Sequence, residues 1–84
     1  MPFYVYVLRS AFLGQMYVGQ TANLERRLDQ HRKGERFWTR RAKDWELIYS
    51  ESYRTRGAAM IRERYLKTGK GKEELRRLLI ARPP

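Results

Sequence analysis

Two short tyrosine-bearing stretches lie near the start of the chain. FYVYVL carries Tyr4 and Tyr6, and MYVGQT carries Tyr17 and Gly19. Arg27 and His31 follow four positions apart in ANLERRLDQHR, and Glu63 stands downstream in IRERYLK. These side chains suit proton transfer and charge stabilisation. A tyrosine hydroxyl serves as a base if its pKa falls from about 10. Histidine moves protons near neutral pH. Arginine offers a planar fork of donors to developing negative charge. A carboxylate holds a hard divalent cation. Each group also has an ordinary structural reading. Arg27 can snorkel at a helix edge, and His31 can be a helix-end cation. Glu63 is the only acid between Arg54 and Lys72, a stretch with seven basic residues, so it is either a salt-bridge partner or a metal ligand.

The elements that must position these groups follow from periodicity. In the first stretch Tyr4, Tyr6 and Leu8 project to one side and Phe3, Val5 and Val7 to the other, which predicts a strand covered on both faces. SAFLGQ returns the chain, and Met16 to Gln20 forms the second strand of a hairpin. Tyr17 and Gly19 share a face, so Tyr6 and Tyr17 can flank one cleft, and a strand glycine lets another group approach closely. Thr21 is the expected N-cap of the next helix. Leu24 and Leu28 form its apolar stripe, and Arg27 and His31 fall beside that stripe.

Trp45 to Tyr53 alternates as a third strand, antiparallel to the hairpin, with Trp45, Leu47, Tyr49 and Tyr53 on one side. Thr55 to Lys67 reads as a second helix burying Ala58, Ile61 and Tyr65, widened by Ala59 and Leu66. TGKGK, residues 68–72, reads as a helix stop and a basic turn. A last helix, Glu73 to Ile80, turns Leu75, Leu78 and Leu79 inward.

Eighty-four residues make one domain, 1–84, with a single small core. A chain this short buries roughly 60–65% of the surface its unfolded form exposes. Nineteen Lys and Arg against nine Asp and Glu give a formal charge of +10. Such a field attracts polyanions, nucleic acid first. A membrane partner is not expected, because no apolar run approaches the roughly 20 residues of a span and no cationic amphipathic helix has a strong apolar face. The absence of cysteine rules out disulfides and thiolate metal sites and is compatible with the cytoplasm. The charge concentrates in RKGERFWTRRAK, residues 32–43, which reads as a loop with six basic residues and one acid. Arg32, Lys33, Arg36, Arg40, Arg41 and Lys43 are the expected phosphate contacts. Trp38 is the aromatic that stacks on a base, or else a core residue.

Taken together, the constellation resembles the GIY-YIG nuclease superfamily, and looks closest to its small stand-alone bacterial members. Tyr4-Val5-Tyr6 matches the first motif, with Tyr in place of the leading Gly. Tyr17-Val18-Gly19 matches the second, with Val in place of Ile. Asn23-Leu24-Glu25-Arg26-Arg27 looks like the family's helix motif, with Arg27 at its functional arginine. His31 falls where the family has His or Tyr, and Glu63 at its metal-binding glutamate. Gln20 stands where many members carry Lys or Arg. The resemblance covers essentially the whole chain.

It implies an α+β fold, a small three-stranded antiparallel sheet flanked by helices. It also implies a Mg2+- or Mn2+-dependent endonuclease, or a related DNA-processing nuclease, with DNA as the first substrate. Glu63 would hold the metal, Arg27 would face the phosphate, Tyr6 or Tyr17 could act as base, and His31 would orient or deprotonate the nucleophile or relay its proton. The rival reading is a nucleic-acid-binding module of the same fold without catalysis. Competent residues at every matched position favour the enzyme.

Overall fold

Apolar residues on both sides of the first strand call for cover on both of its faces. The computed structural model describes residues 2–35 and 39–81. Strand β1 (Phe3–Ser10) pairs antiparallel with β2 (Gln15–Thr21) on one side and with β3 (Glu46–Tyr53) on the other, in the order β2-β1-β3. Helix α1 (Leu24–Arg32) follows the hairpin, a 3-10 turn spans Thr39–Arg41, and α2 (Arg56–Leu66) and α3 (Gly69–Ala81) close the chain. Val5, Val7 and Val18 pack against Ala59, Leu66 and Leu75 of the last two helices. Tyr6 and Leu8 meet Trp45, Ala42, Tyr17, Leu24 and Leu28 on the opposite face. The expected α+β architecture is therefore present, and β1 is covered on both faces.

Four local expectations are corrected. The N-cap of α1 is Asn23, whose side chain accepts from the Arg26 N–H at 3.0 Å. Thr21 instead accepts from the Asn23 N–H at 3.1 Å and turns the chain into the cap. In β3 a bulge sets Val7 opposite Tyr49 and Leu8 opposite Leu47, with Ile48 extra. One inserted residue reverses the alternation, so Trp45 joins the Tyr6 layer while Tyr49 and Tyr53 join the Val5 layer. In α2 Ile61 is 70% exposed, and Ala59 and Leu66 are the buried residues. The half-buried place between them belongs to Arg62. Helix α3 starts at Gly69 rather than Glu73, because Thr68 Oγ1 accepts from the Gly71 N–H at 3.0 Å and starts the helix inside TGKGK. A Cβ at Gly71 would collide with the Tyr65 carbonyl oxygen and Leu66 Cα, so the tight α2–α3 junction requires glycine.

Arg62 is tolerated at the interface because acids meet it from two elements. It donates to Glu51 through Nε at 2.9 Å and Nη2 at 3.0 Å, and to Glu74 at 2.6 Å. Tyr49 and Tyr53, two positions either side of Glu51, also donate to its carboxylate, at 2.5 and 2.6 Å. Burial pushes the Glu51 carboxyl up, but these donors outweigh it and hold it at about 2. Burial, then the Glu51 charge, raises both tyrosines to about 12. A carboxylate lowered from 4.5 contributes stability that is lost as pH falls through the 4.5-to-2 window. Tyrosines raised from 10 contribute stability that is lost as pH rises from 10 toward 12. Arg62→Met should cost about 2 kcal/mol, below the 3–5 of a fully buried pair, and lower Tm by on the order of 10 °C. The double variant Arg62→Met/Glu51→Gln should regain part of that loss. Thermal melts of both variants check this; an unchanged Tm for Arg62→Met would show that the network does not hold α2 to the sheet.

Candidate active site

The face of the hairpin turned toward α1 carries Tyr6, Tyr17 and Gly19, because Tyr6 pairs with Gly19 and Leu8 with Tyr17 across the β1–β2 ladder. Gly19 leaves room for this packing. A Cβ there would lie 2.5 Å from the Tyr6 hydroxyl and 2.9 Å from Tyr17 Cε2. His31 descends from the last turn of α1 onto the same spot. Its Nε2 is 2.9 Å from the Tyr6 hydroxyl, and its ring centroid is 5.1 Å from that of Tyr17. Tyr6 is fully buried and His31 is 1% exposed, whereas Tyr17 is half-buried at the surface of the cluster.

The far side of His31 was not foreseen. Its Nδ1 lies 2.6 Å from Thr39 Oγ1, in the 3-10 turn, and Trp45 Nε1 donates to the Thr39 carbonyl at 2.5 Å. The alternation of the third strand gives Trp45 a side but no partner, and Thr39 carries no signal of its own. A buried threonine eight positions beyond a helix-end histidine gives no periodic signal. Asp44 fastens the same segment to the hairpin. It accepts from Ser10 Oγ at 2.6 Å and from the Phe12 N–H at 2.9 Å. Those two donors hold its carboxyl below the usual range. Tyr6, His31 and Thr39 thus form one buried chain of hydrogen-bonding atoms. A neutral imidazole has a single N–H. If Tyr6 donates to Nε2, then Nδ1 carries the proton and donates to Thr39.

Arg27 stands on α1, the helix that carries His31, and Glu63 on α2, which packs on the opposite face of the sheet. Leu24, Glu25 and Leu28 of α1 border Pro2 and Tyr4 of β1. Helical spacing places Arg27, half-buried, one turn before His31 and on the other side of it from Leu24, Glu25 and Leu28. On α2, Arg56, Glu63 and Lys67 recur at i, i+7 and i+11 and so share one flank. Arg56 reaches Gln20 of β2 at 3.5 Å, and Lys67 borders a groove with Tyr17 and Val18. Glu63 lies between these two anchor points along the β2 edge, its carboxylate 3.1 Å from Lys67 Nζ.

The remaining expected phosphate contacts are dispersed. Arg41 borders the groove and donates to Gln15 at 2.7 Å. Arg32 and Lys43 are exposed. Lys33 is exposed and pairs with Asp29 at 2.9 Å. Arg40 lies in the 3-10 turn. Arg36 and Trp38 lie outside the described residues.

The GIY-YIG catalytic domain matches residues 2–76. The chain belongs to that family. A UPF0213 protein of Natronomonas pharaonis is 41% identical over 66 residues, which span 77% of this chain and 76% of that one. The solution NMR structure of a UPF0213 protein of Bacillus halodurans superposes with a TM-score of 0.57 at 30% identity, covering 93% of this chain and 85% of that one. GIY-YIG domains are generally nucleases, and those nucleases generally use divalent metals.

The residues present fit such an ion in one respect. Among the described residues no three His, Cys, Asp or Glu side chains converge. Glu63 is therefore a single hard oxygen donor, its side chain 20% exposed. That donor set suits a cation that keeps most of its waters and takes further oxygens from a substrate phosphate, as Mg2+ does. It does not suit an all-protein cage. The 51% exposed Lys67 ammonium holds the carboxylate only weakly and can yield to a divalent ion.

Proposed function

We propose that this GIY-YIG domain, acting as one unit, is an endonuclease that hydrolyses phosphodiester bonds in nucleic acid, DNA in the first instance, with Mg2+ or Mn2+ at Glu63. The observation that carries the reading is the partly exposed Tyr17 hydroxyl-bearing ring packed on a fully buried Tyr6–His31–Thr39 chain, at the mouth of a cation-rimmed groove. A fold that needed only packing would fill that centre with aliphatic side chains, since buried polar groups must each find partners.

The two tyrosines then divide the work. Tyr6 is sealed from solvent, so it positions His31 and does not touch substrate. Tyr17 faces the groove and is assigned the proton transfer from the attacking water. His31 packs against its ring and, through Tyr6 and Thr39, keeps a fixed tautomer. Arg27, half-buried one turn before His31, donates to the phosphate oxygens as charge accumulates. A divalent ion at Glu63 would supply Lewis acidity at a phosphate oxygen and lower the pKa of a bound water. No helix among the described residues is long and apolar enough to cross a membrane, and the +10 charge favours a polyanionic partner.

The test uses labelled linear, branched and single-stranded substrates with Mg2+, Mn2+ or EDTA. Cleavage that EDTA abolishes, and that Tyr17→Phe slows by about 10²-fold or more, supports the proposal. Binding without cleavage under every metal condition would leave a nucleic-acid-binding module instead.

A further inference from the structure

β2 is an edge strand, and its open side borders a groove of about 750 Å3. The 3-10 turn and Trp45 form one wall. The end of α2 and the first half of α3 form the other. Four cations stand on the rim: Arg41, Lys67, Lys72 and Arg76. No described residue lining the groove is Asp or Glu. Lys72 and Arg76, both exposed, are one turn apart on the same face of α3. Between the cations the exposed apolar surface is that of Met16, 41% exposed on β2, and the half-buried Tyr17, over the buried Leu66 and Leu75.

We infer that this groove holds an unpaired nucleic-acid strand beside the reacting phosphate, with Lys72 and Arg76 of α3 gripping its backbone. The placement next to Tyr17 rests on the nuclease reading; the groove itself does not. A blunt duplex keeps its base faces stacked inside and offers this groove phosphates alone, which leaves the apolar floor unfilled. An unpaired strand offers both parts. Its phosphates meet the cationic rim, and its base faces cover the floor, as in other sequence-tolerant single-strand sites. The Met16 thioether is suited to that floor, because a flexible polarisable side chain adapts to any base face. Tyr17 forms part of the same wall, so a strand lying along β2 brings one of its phosphates to that hydroxyl.

The experiment measures fluorescence anisotropy in EDTA, where cleavage does not interfere. The probes are a short labelled single strand and a blunt two-stranded duplex of the same composition. The single strand should bind about tenfold or more tightly, a difference of about 1.4 kcal/mol. Lys72→Gln/Arg76→Gln should flatten its log–log salt dependence by about 1.4, two phosphates at about 0.7 each. Glutamine keeps helix propensity at these exposed positions. Met16→Ala should weaken binding about threefold without changing the salt slope. Arg54→Gln, beyond β3 at the far edge of the sheet, should weaken binding less than Arg76→Gln does. Equal affinity for the duplex, an unchanged slope in the double variant, or equal losses for Arg54→Gln and Arg76→Gln would each overturn the inference. The same preparations are then assayed for cleavage in Mg2+. Binding that depends on Lys72 and Arg76 with no cleavage defeats the nuclease reading and leaves the groove standing. Cleavage with binding indifferent to both defeats the groove alone.

Discussion

Glu63→Gln should abolish cleavage in Mg2+ while leaving the fold intact. The substitution keeps the shape of the side chain and removes its charge. Glu63 pairs with Lys67, four residues on, whose ammonium-bearing side chain is half exposed. Exposed i, i+4 pairs contribute about 0.3–0.5 kcal/mol, so the expected fall in Tm is at most a few degrees. The stabilising ion-pair network of α2 lies on the other side of the helix, at Arg62, and is untouched. A purely structural Glu63 predicts the reverse pattern, with a destabilised protein whose folded fraction cleaves normally. Binding of nucleic acid in EDTA separates the cases further. Removing a carboxylate from beside a phosphate-binding groove lessens repulsion, so affinity should hold or rise. Mn2+ should restore cleavage weakly at best, because the amide oxygen is a poorer ligand than a carboxylate. The measurement is a thermal melt, a binding isotherm in EDTA and a metal-titrated cleavage assay on one preparation. Wild-type cleavage by folded Glu63→Gln protein would end the assignment of Glu63 to the metal.

The parts of this fold that were legible in the sequence are those governed by simple periodicity. Two-sided apolar alternation in β1 identified a covered strand. The shared face of Tyr17 and Gly19 brings Tyr6 and Tyr17 side by side, with ring centroids 6.2 Å apart, but Tyr6 is fully buried and only Tyr17 borders the groove. His31 fell beside the Leu24–Leu28 stripe and is buried there. What periodicity missed depends on tertiary partners. The face of α2 was misread by one position because Arg62 looks like a surface residue. It is drawn inward by Glu51 and Glu74, which belong to other elements. The β3 bulge leaves no trace in residue type, so Trp45 was grouped with Tyr49 and Tyr53. That grouping concealed the role of Trp45 in holding Thr39 against His31. Glycines were ambiguous for a related reason. Residues 68–72 read as a helix stop and a turn, yet Gly71 is helical and is required by the closeness of α2.

Arg27→Ala should fold and bind nucleic acid but cleave on the order of 10²–10³ times more slowly, the usual effect of removing a preorganised donor from a developing charge. Arg27 occupies a half-buried position on α1, beside an apolar stripe where a leucine would pack without desolvating a charge. Its neighbours one turn on either side, Asn23 and His31, are committed to the helix cap and to the Tyr6–Thr39 chain. The structural alternative is a stem that covers apolar surface. In that case alanine should cost stability through lost packing, offset in part by its better helix propensity, and the rate of the folded protein should not change. Lysine distinguishes the two readings. It retains the stem and the charge, so it should restore any packing role. It lacks the planar fork that donates to two phosphate oxygens at once, so it should recover little of the rate. The assay is single-turnover cleavage at saturating protein with a parallel melt. Because saturation removes differences in affinity, the rate then reports the chemical step alone. Full-rate cleavage by folded Arg27→Ala protein, or full rescue by Arg27→Lys, would remove the guanidinium from the mechanism.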